Sequence, residues 1–190
     1  MKRILELGGL ISGVVLIVFG VAVIALGVQG RGTVTDKLKA EQIVGSPDMS
    51  PAAIKDEAAK AGLTGITLPT CDVANVAVTN GARAKCFADY MRIHALEATG
   101  GQTYAQMPRF ASTDGKGTND ATKAVKNASG GPADNPVRNV WITETALATA
   151  LDVSFMASQL ALFSIVVGVA LLLVGVGFII LDNVALHRKA

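Results

Sequence analysis

Histidine, cysteine and aromatic residues are the scarce components of this chain. Its 190 residues include 2 His, 2 Cys and 1 Trp, and Phe, Trp and Tyr together make up 5%. Two histidines leave little material for general-base or transition-metal chemistry, both of which lean on imidazole. Charge is short too, at 17%, and whole stretches are without it. Residues 160–181, LALFSIVVGVALLLVGVGFIIL, contain no charged residue, and residues 4–28, ILELGGLISGVVLIVFGVAVIALGV, contain Glu6 alone. Nor is there a basic excess. Residues 29–158 carry as many Asp and Glu as Lys and Arg, so the chain lacks the electrostatic footprint of a nucleic-acid binder.

What it does have is apolar sequence, 51% in all, concentrated at its two ends. Both end segments exceed the ~20 residues that cross a hydrocarbon core of about 30 Å. They predict two transmembrane helices, at 4–28 and 159–183, around a central region at 29–158, with 1–3 and 184–190 as short tails. The opening Met1-Lys2-Arg3 and the small residues Ala25 and Gly27 also fit a cleaved signal peptide, but the first apolar run is much longer than an h-region of about 7–15 residues. That favours an uncleaved anchor. Lys2 and Arg3 precede the first span, and His187, Arg188 and Lys189 follow the second. The positive-inside rule then puts both termini in the cytoplasm and the central region outside the plasma membrane.

Cys71 and Cys86 both fall in the central region, and a pair outside the cytoplasm predicts a disulfide. Two buried thiols are the alternative, and no neighbouring Cys or His pair points to a metal. Ser50 followed by Pro51 marks a helix start, AAIKDEAAKA continues it and Gly62 ends it. LTGITL and DVANVAV lean toward short extended segments, and Asn80-Gly81 reads as a turn. Residues 82–98 have apolar side chains at helical spacing and end at Gly100-Gly101. Residues 111–139 are rich in Gly, Asn, Asp, Ser and Pro, with few large apolar groups to offset chain entropy, and predict a long mobile loop. Thr143 then caps a helix that has no breaker before the second span. It would be about 40 residues long and reach roughly 20–25 Å beyond the membrane at 1.5 Å per residue.

HALEATGGQTYAQM at 94–107 and RNVWITETALATALDVSFMASQLALF at 138–163, together with the short first span, resemble a group of small actinobacterial membrane proteins with two spans and an extracytoplasmic loop. Members of that group are commonly labelled "aromatic ring-opening dioxygenase". The resemblance implies the two-span architecture and carries that label with it. The residues do not support the activity. A ring-opening ferrous site typically needs two histidines and a carboxylate, whereas the expected topology puts His94 and His187 on opposite sides of the membrane. A lone His94 on an exposed helix reads as a solvated or capping residue. TDGKGTND at 113–120 lacks the glycine and final glutamate of a calcium loop and is not a phosphate loop. No catalytic, cofactor-binding or metal-ligating set emerges.

One regularity remains. Gly13, Gly20 and Gly27 recur every seventh residue in the first span, and Ala161, Gly168 and Gly175 do so in the second. Laid antiparallel, the rows meet small against small at every level, a pattern that permits close backbone approach. The seam joins the two spans of one chain or neighbouring subunits; in a chain with 20 glycines, chance spacing is the remaining alternative. The sequence therefore predicts a mainly α membrane protein: an antiparallel two-helix hairpin with a disulfide-closed, mostly helical extracytoplasmic cap. Functionally it points to a non-catalytic accessory or stabilising subunit of a larger membrane complex, or a homo-oligomer, whose partners are the lipid bilayer and other membrane subunits or its own copies. A membrane-anchored sensor or binding protein is the alternative.

Overall fold

The computed structural model describes residues 2–187; Arg188 and Lys189, which contribute to the charge asymmetry above, lie outside the described residues. Four helices follow one another: α1 (Lys2–Ala40), α2 (Pro51–Lys60), α3 (Gly81–Ala98) and α4 (Arg138–His187). Extended structure among the described residues is limited to isolated β-bridges. The chain divides into two compact units, one formed by Met1–Lys37 with Met156–Ala190 and the other by Leu38–Phe155.

The first unit consists of most of α1 and the C-terminal part of α4. Both helices are long and apolar enough to cross a membrane. α1 runs unbroken through Gly30 and Gly32. Each glycine costs about 1 kcal/mol relative to alanine, but interrupting a helix that continues on both sides also forfeits its cooperative propagation. α1 and α4 lie antiparallel, with Gly13 beside Gly175, Gly20 beside Gly168 and Gly27 beside Ala161.

The second unit is built on α2 and α3. Ser50 accepts from the Ala53 amide and Pro51 occupies the first turn of α2. Asn80, expected in a turn, instead starts α3 by accepting from the Arg83 amide at 3.0 Å. An Asn-Gly pair suits a helix N-terminus as well as a hairpin, because the asparagine side chain can satisfy an orphan amide. Ile54 and Ala58 of α2 pack with Cys86, Tyr90 and Ile93 of α3, together with Met49 and Val73. The segments before and after α2 come together irregularly, with the Gly45 amide donating to Val76 and the Val73 amide to Met49. A Cβ on Gly45 would lie 1.9 Å from the Val73 carbonyl oxygen, so no other residue fits there. Cys71 and Cys86 form a disulfide with a Cα–Cα distance of 6.1 Å. Next to it the buried Tyr90 hydroxyl donates to the Cys71 carbonyl at 2.6 Å.

Residues 111–139 are organised by backbone hydrogen bonds rather than by an apolar core. The Phe110 and Thr118 amides and carbonyls pair reciprocally, and Ala111, Val125 and Ala133 are linked by bonds of 2.7–2.9 Å. Side chains close the turns: Asp114 accepts from the Lys116 amide, Asp120 from Thr122, and Asn127 from Ser129 and Gly131. The residues whose composition predicts mobility are the ones that make these turns. α4 begins at Arg138 rather than at Thr143. Asn135 accepts from the Val137 and Arg138 amides ahead of it, and Pro136 has no amide to satisfy. This pair opens α4 much as Ser50 and Pro51 open α2. A second apolar cluster lies beyond, where Trp141 packs with Ala95 and Met107 and its indole N–H donates to the Gln102 carbonyl at 2.8 Å.

Candidate metal centre

The structure brings the sequence-derived candidates together in two places. One is the Cys71–Cys86 disulfide. The other is the glycine row, where the approach is backbone to backbone. A Cβ on Gly13 would lie 2.8 Å from the Gly175 carbonyl oxygen, one on Gly20 2.7 Å from that of Gly168, and one on Gly27 2.7 Å from that of Ala161. By contrast, Gly8, Gly9 and Gly177 have nothing within 4 Å of such an atom. The sequence reading missed the other half of this packing. Ile17 and Ile24 cover Gly175 and Gly168, while Ile165, Leu172 and Ile179 cover Gly27, Gly20 and Gly13. Each large residue stands four positions after a small one, so the periodicity that exposed the glycines also contained the side chains that fill them.

His94 is where the structure departs most from the sequence reading. It is not a solvated residue on an exposed helix face. It sits late in α3, where the packing of α2 against α3 brings it to Glu57 of α2 and to Asp48 in the segment before that helix. Its Nε2 is 3.5 Å from Asp48 Oδ2 and 3.7 Å from Glu57 Oε2. One donor atom from each of the three residues lies within 4.8 Å of the others. The three side chains are about one-third exposed or less, and His94 Nε2 itself is sealed from solvent without a hydrogen-bond partner. The Ser46 hydroxyl donates to Asp48 Oδ1, leaving Oδ2 toward the imidazole.

Three ligand-bearing side chains from separate segments give this cluster the donor set of an open metal site. It is not the ring-opening dioxygenase set, which has two imidazoles and one carboxylate; here one imidazole faces two carboxylates. No spacing motif reveals it, because Asp48, Glu57 and His94 are ordinary polar residues until α2 and α3 pack. The available signal was an acid-bearing helix, PAAIKDEAAK, joined by the disulfide-flanked segment to the helix that carries His94.

On its other side His94 borders an open groove of about 540 Å³ between α3 and the start of α4. Met91, Ala95, Ala98 and Val140 give it an apolar lining, with Glu144 at the edge. Glu144 is buried and lies 3.6 Å from Arg92, whose guanidinium stacks over the Trp141 ring at 4.0 Å. Elsewhere in this unit the hydrogen bond to Asp89 raises the Lys85 pKa above its ordinary value. Burial, with Asp72 nearby, raises that of the Tyr90 phenol.

No protein family, curated protein or solved structure matches the chain.

Proposed function

We propose that the chain is a two-span plasma-membrane protein with both termini in the cytoplasm and its central region outside. On this reading it acts without catalysis of its own, as an accessory or stabilising subunit of a larger membrane complex or as a homo-oligomer. The observation that carries the proposal is the distribution of apolar surface along α1 and α4. The small faces of the helices are occupied by each other, while large side chains point away: Phe19 is 62% exposed, Leu26 66% and Leu173 68%. Phe178 is exposed as well, and Leu16 and Leu171 are half-buried. A helix pair of this kind leaves most of its apolar surface for lipid and for neighbouring helices.

Lipid accounts for part of this apolar surface, and contact with neighbouring helices accounts for the rest, which the two helices do not cover for each other. Solubilisation in mild detergent tests the two parts of the proposal. Stoichiometric retention in a larger assembly, or a defined homo-oligomer, is the expected result. A monomer at every detergent concentration refutes the subunit role. For topology, a cysteine introduced at Gly115 should react with a membrane-impermeant reagent in intact cells, and one at Ala190 should not.

The groove beside His94 favours a second reading, in which the cap binds an envelope component. A cavity lined by apolar residues with a few polar groups at its edge is the usual form of a small-molecule site. Copurification of a bound small molecule with a monomeric protein would favour that reading over the first.

A further inference from the structure

The distances within the Asp48–Glu57–His94 cluster bear on what the cluster holds. An imidazolium bonded to a carboxylate draws its nitrogen to about 2.7–2.9 Å from the oxygen. His94 Nε2 stands 3.5 Å and 3.7 Å from its two carboxylate oxygens, beyond the reach of a charge-assisted hydrogen bond. Two ligand atoms that share a tetrahedral zinc ion, each about 2.0–2.1 Å from it, are separated by about 3.4 Å. The two nitrogen–oxygen separations are close to that value, and all three donor atoms lie within 4.8 Å of one another. The second observation is the nitrogen itself: a polar atom closed off from water and left without a hydrogen bond. Such an atom is costly unless something binds it.

We propose that Asp48, Glu57 and His94 form a binding site for a divalent transition-metal cation of zinc-like chemistry. Nε2 and one oxygen from each carboxylate are the ligands, and a water molecule takes the remaining position. The charges balance, since two carboxylates and a neutral imidazole offset a double positive charge. Mixed nitrogen and oxygen donors select a borderline cation over calcium or magnesium, which prefer oxygen alone. Orientation is built in as well. The Ser46 hydroxyl occupies Asp48 Oδ1 and so directs the other oxygen inward, the outer-shell arrangement that metal ligands usually have. Glu57 and His94 stand on helices whose buried neighbours, Ile54, Ala58 and Ile93, share one core. The site does not depend on the membrane reading.

The full-length protein, prepared without a histidine tag, stripped with chelator and kept in detergent with its disulfide intact, is titrated with zinc. One equivalent should bind, and cobalt should bind with the visible spectrum of a low-coordinate nitrogen and oxygen complex. Asp48→Asn, Glu57→Gln and His94→Gln should each weaken zinc binding at least tenfold. Asp56→Asn, an exposed acid one position away on α2, should leave it unchanged. To keep the test independent of variant folding, ¹⁵N spectra of imidazole-labelled wild-type protein are recorded with and without zinc. The His94 Nε2 resonance should shift. Absence of saturable zinc binding, undiminished affinity in a folded His94→Gln protein, or a zinc response confined to His187 would overturn the proposal.

Discussion

Replacing Gly20 by alanine adds one methyl group where α1 and α4 come closest. The new carbon would lie 2.7 Å from the Gly168 carbonyl oxygen and 2.9 Å from Leu172 Cγ, against an ordinary contact of 3.4 Å or more. The helices must therefore part locally by roughly 0.7 Å, enough to forfeit about a quarter to a half of the dispersion energy of the contacts that open. Overpacking of this kind typically costs about 1–3 kcal/mol. It is partly masked, because alanine gains about 0.8–1 kcal/mol over glycine in helix propensity. Gly177→Ala isolates the contact term: a Cβ there meets nothing within 4 Å, so only the propensity gain applies. Reversible unfolding in mixed detergent micelles, followed by a fluorophore pair placed on α1 and α4, should separate the two variants by about 1–3 kcal/mol, with Gly20→Ala the less stable. Equal stabilities would refute the reasoning. Cysteines at positions 20 and 168 should also crosslink within one chain; crosslinks found only in dimers would assign the seam to contacts between subunits.

Reducing the disulfide opens a loop of sequence separation 15, which in the chain-entropy treatment removes about 3 kcal/mol of stability. Reductant should therefore lower the thermal midpoint reported by Trp141 fluorescence, and an unchanged midpoint would mean that the core alone holds this unit. Tyr90 ties the unit to alkaline pH. Burial raises its phenol pKa from the ordinary 10.0, so its stabilising contribution is complete below that value and is lost as pH rises through the folded-state pKa. Tyr90→Phe should lessen the alkaline loss, leaving the part owed to Lys85, and, by deleting the bond to Cys71, lower stability at neutral pH by about 1 kcal/mol; an alkaline loss in Tyr90→Phe as large as in the wild type would count against it. In the loop, the Ser112 hydroxyl and the Lys116 amide hold the Asp114 carboxyl below its ordinary 3.8, and Thr122 does the same for Asp120. The stabilising turns are then present above that value and loosen as pH falls through the depressed one, so the Lys116 and Thr122 amide resonances should titrate below pH 3.8 and not above it.

Features written in short stretches of sequence were legible. Ser50-Pro51 marks the start of α2 because a cap and a missing amide act within one turn, and the seven-residue rows of small groups can be read because a helix has a fixed period. Composition was silent on the turns at 111–139. Large apolar residues are indeed scarce there, but Asp114, Asp120 and Asn127 fix the backbone through local hydrogen bonds that a count of apolar residues does not register. The helix start at Asn135-Pro136 was hidden by the same loop chemistry. The His94 cluster was not legible as a cluster. Its members are separated by a helix, a disulfide-bearing segment and several turns, and their meeting depends on the packing of Ile54 and Ala58 against Tyr90 and Ile93. A lone histidine in the sequence carries no sign of which carboxylates the fold will bring to it.

The antiparallel glycine contacts also limit how the chain can change length. Along α1 and α4, pairs that touch keep a constant sum of residue numbers: 13 with 175, 20 with 168 and 27 with 161. Inserting or deleting one residue inside either segment turns everything beyond it by about 100° and shifts it by about 1.5 Å. Glycines on the far side of the change would then face away from their partners, and Ile24 or Leu172 would be left without a hollow to occupy. A change of seven residues nearly restores the angular position, while one of three or four overshoots or falls short by part of a turn. Length variation in these two helices should therefore occur in whole heptads or outside the contact region, even where single apolar substitutions on the outer faces are freely accepted.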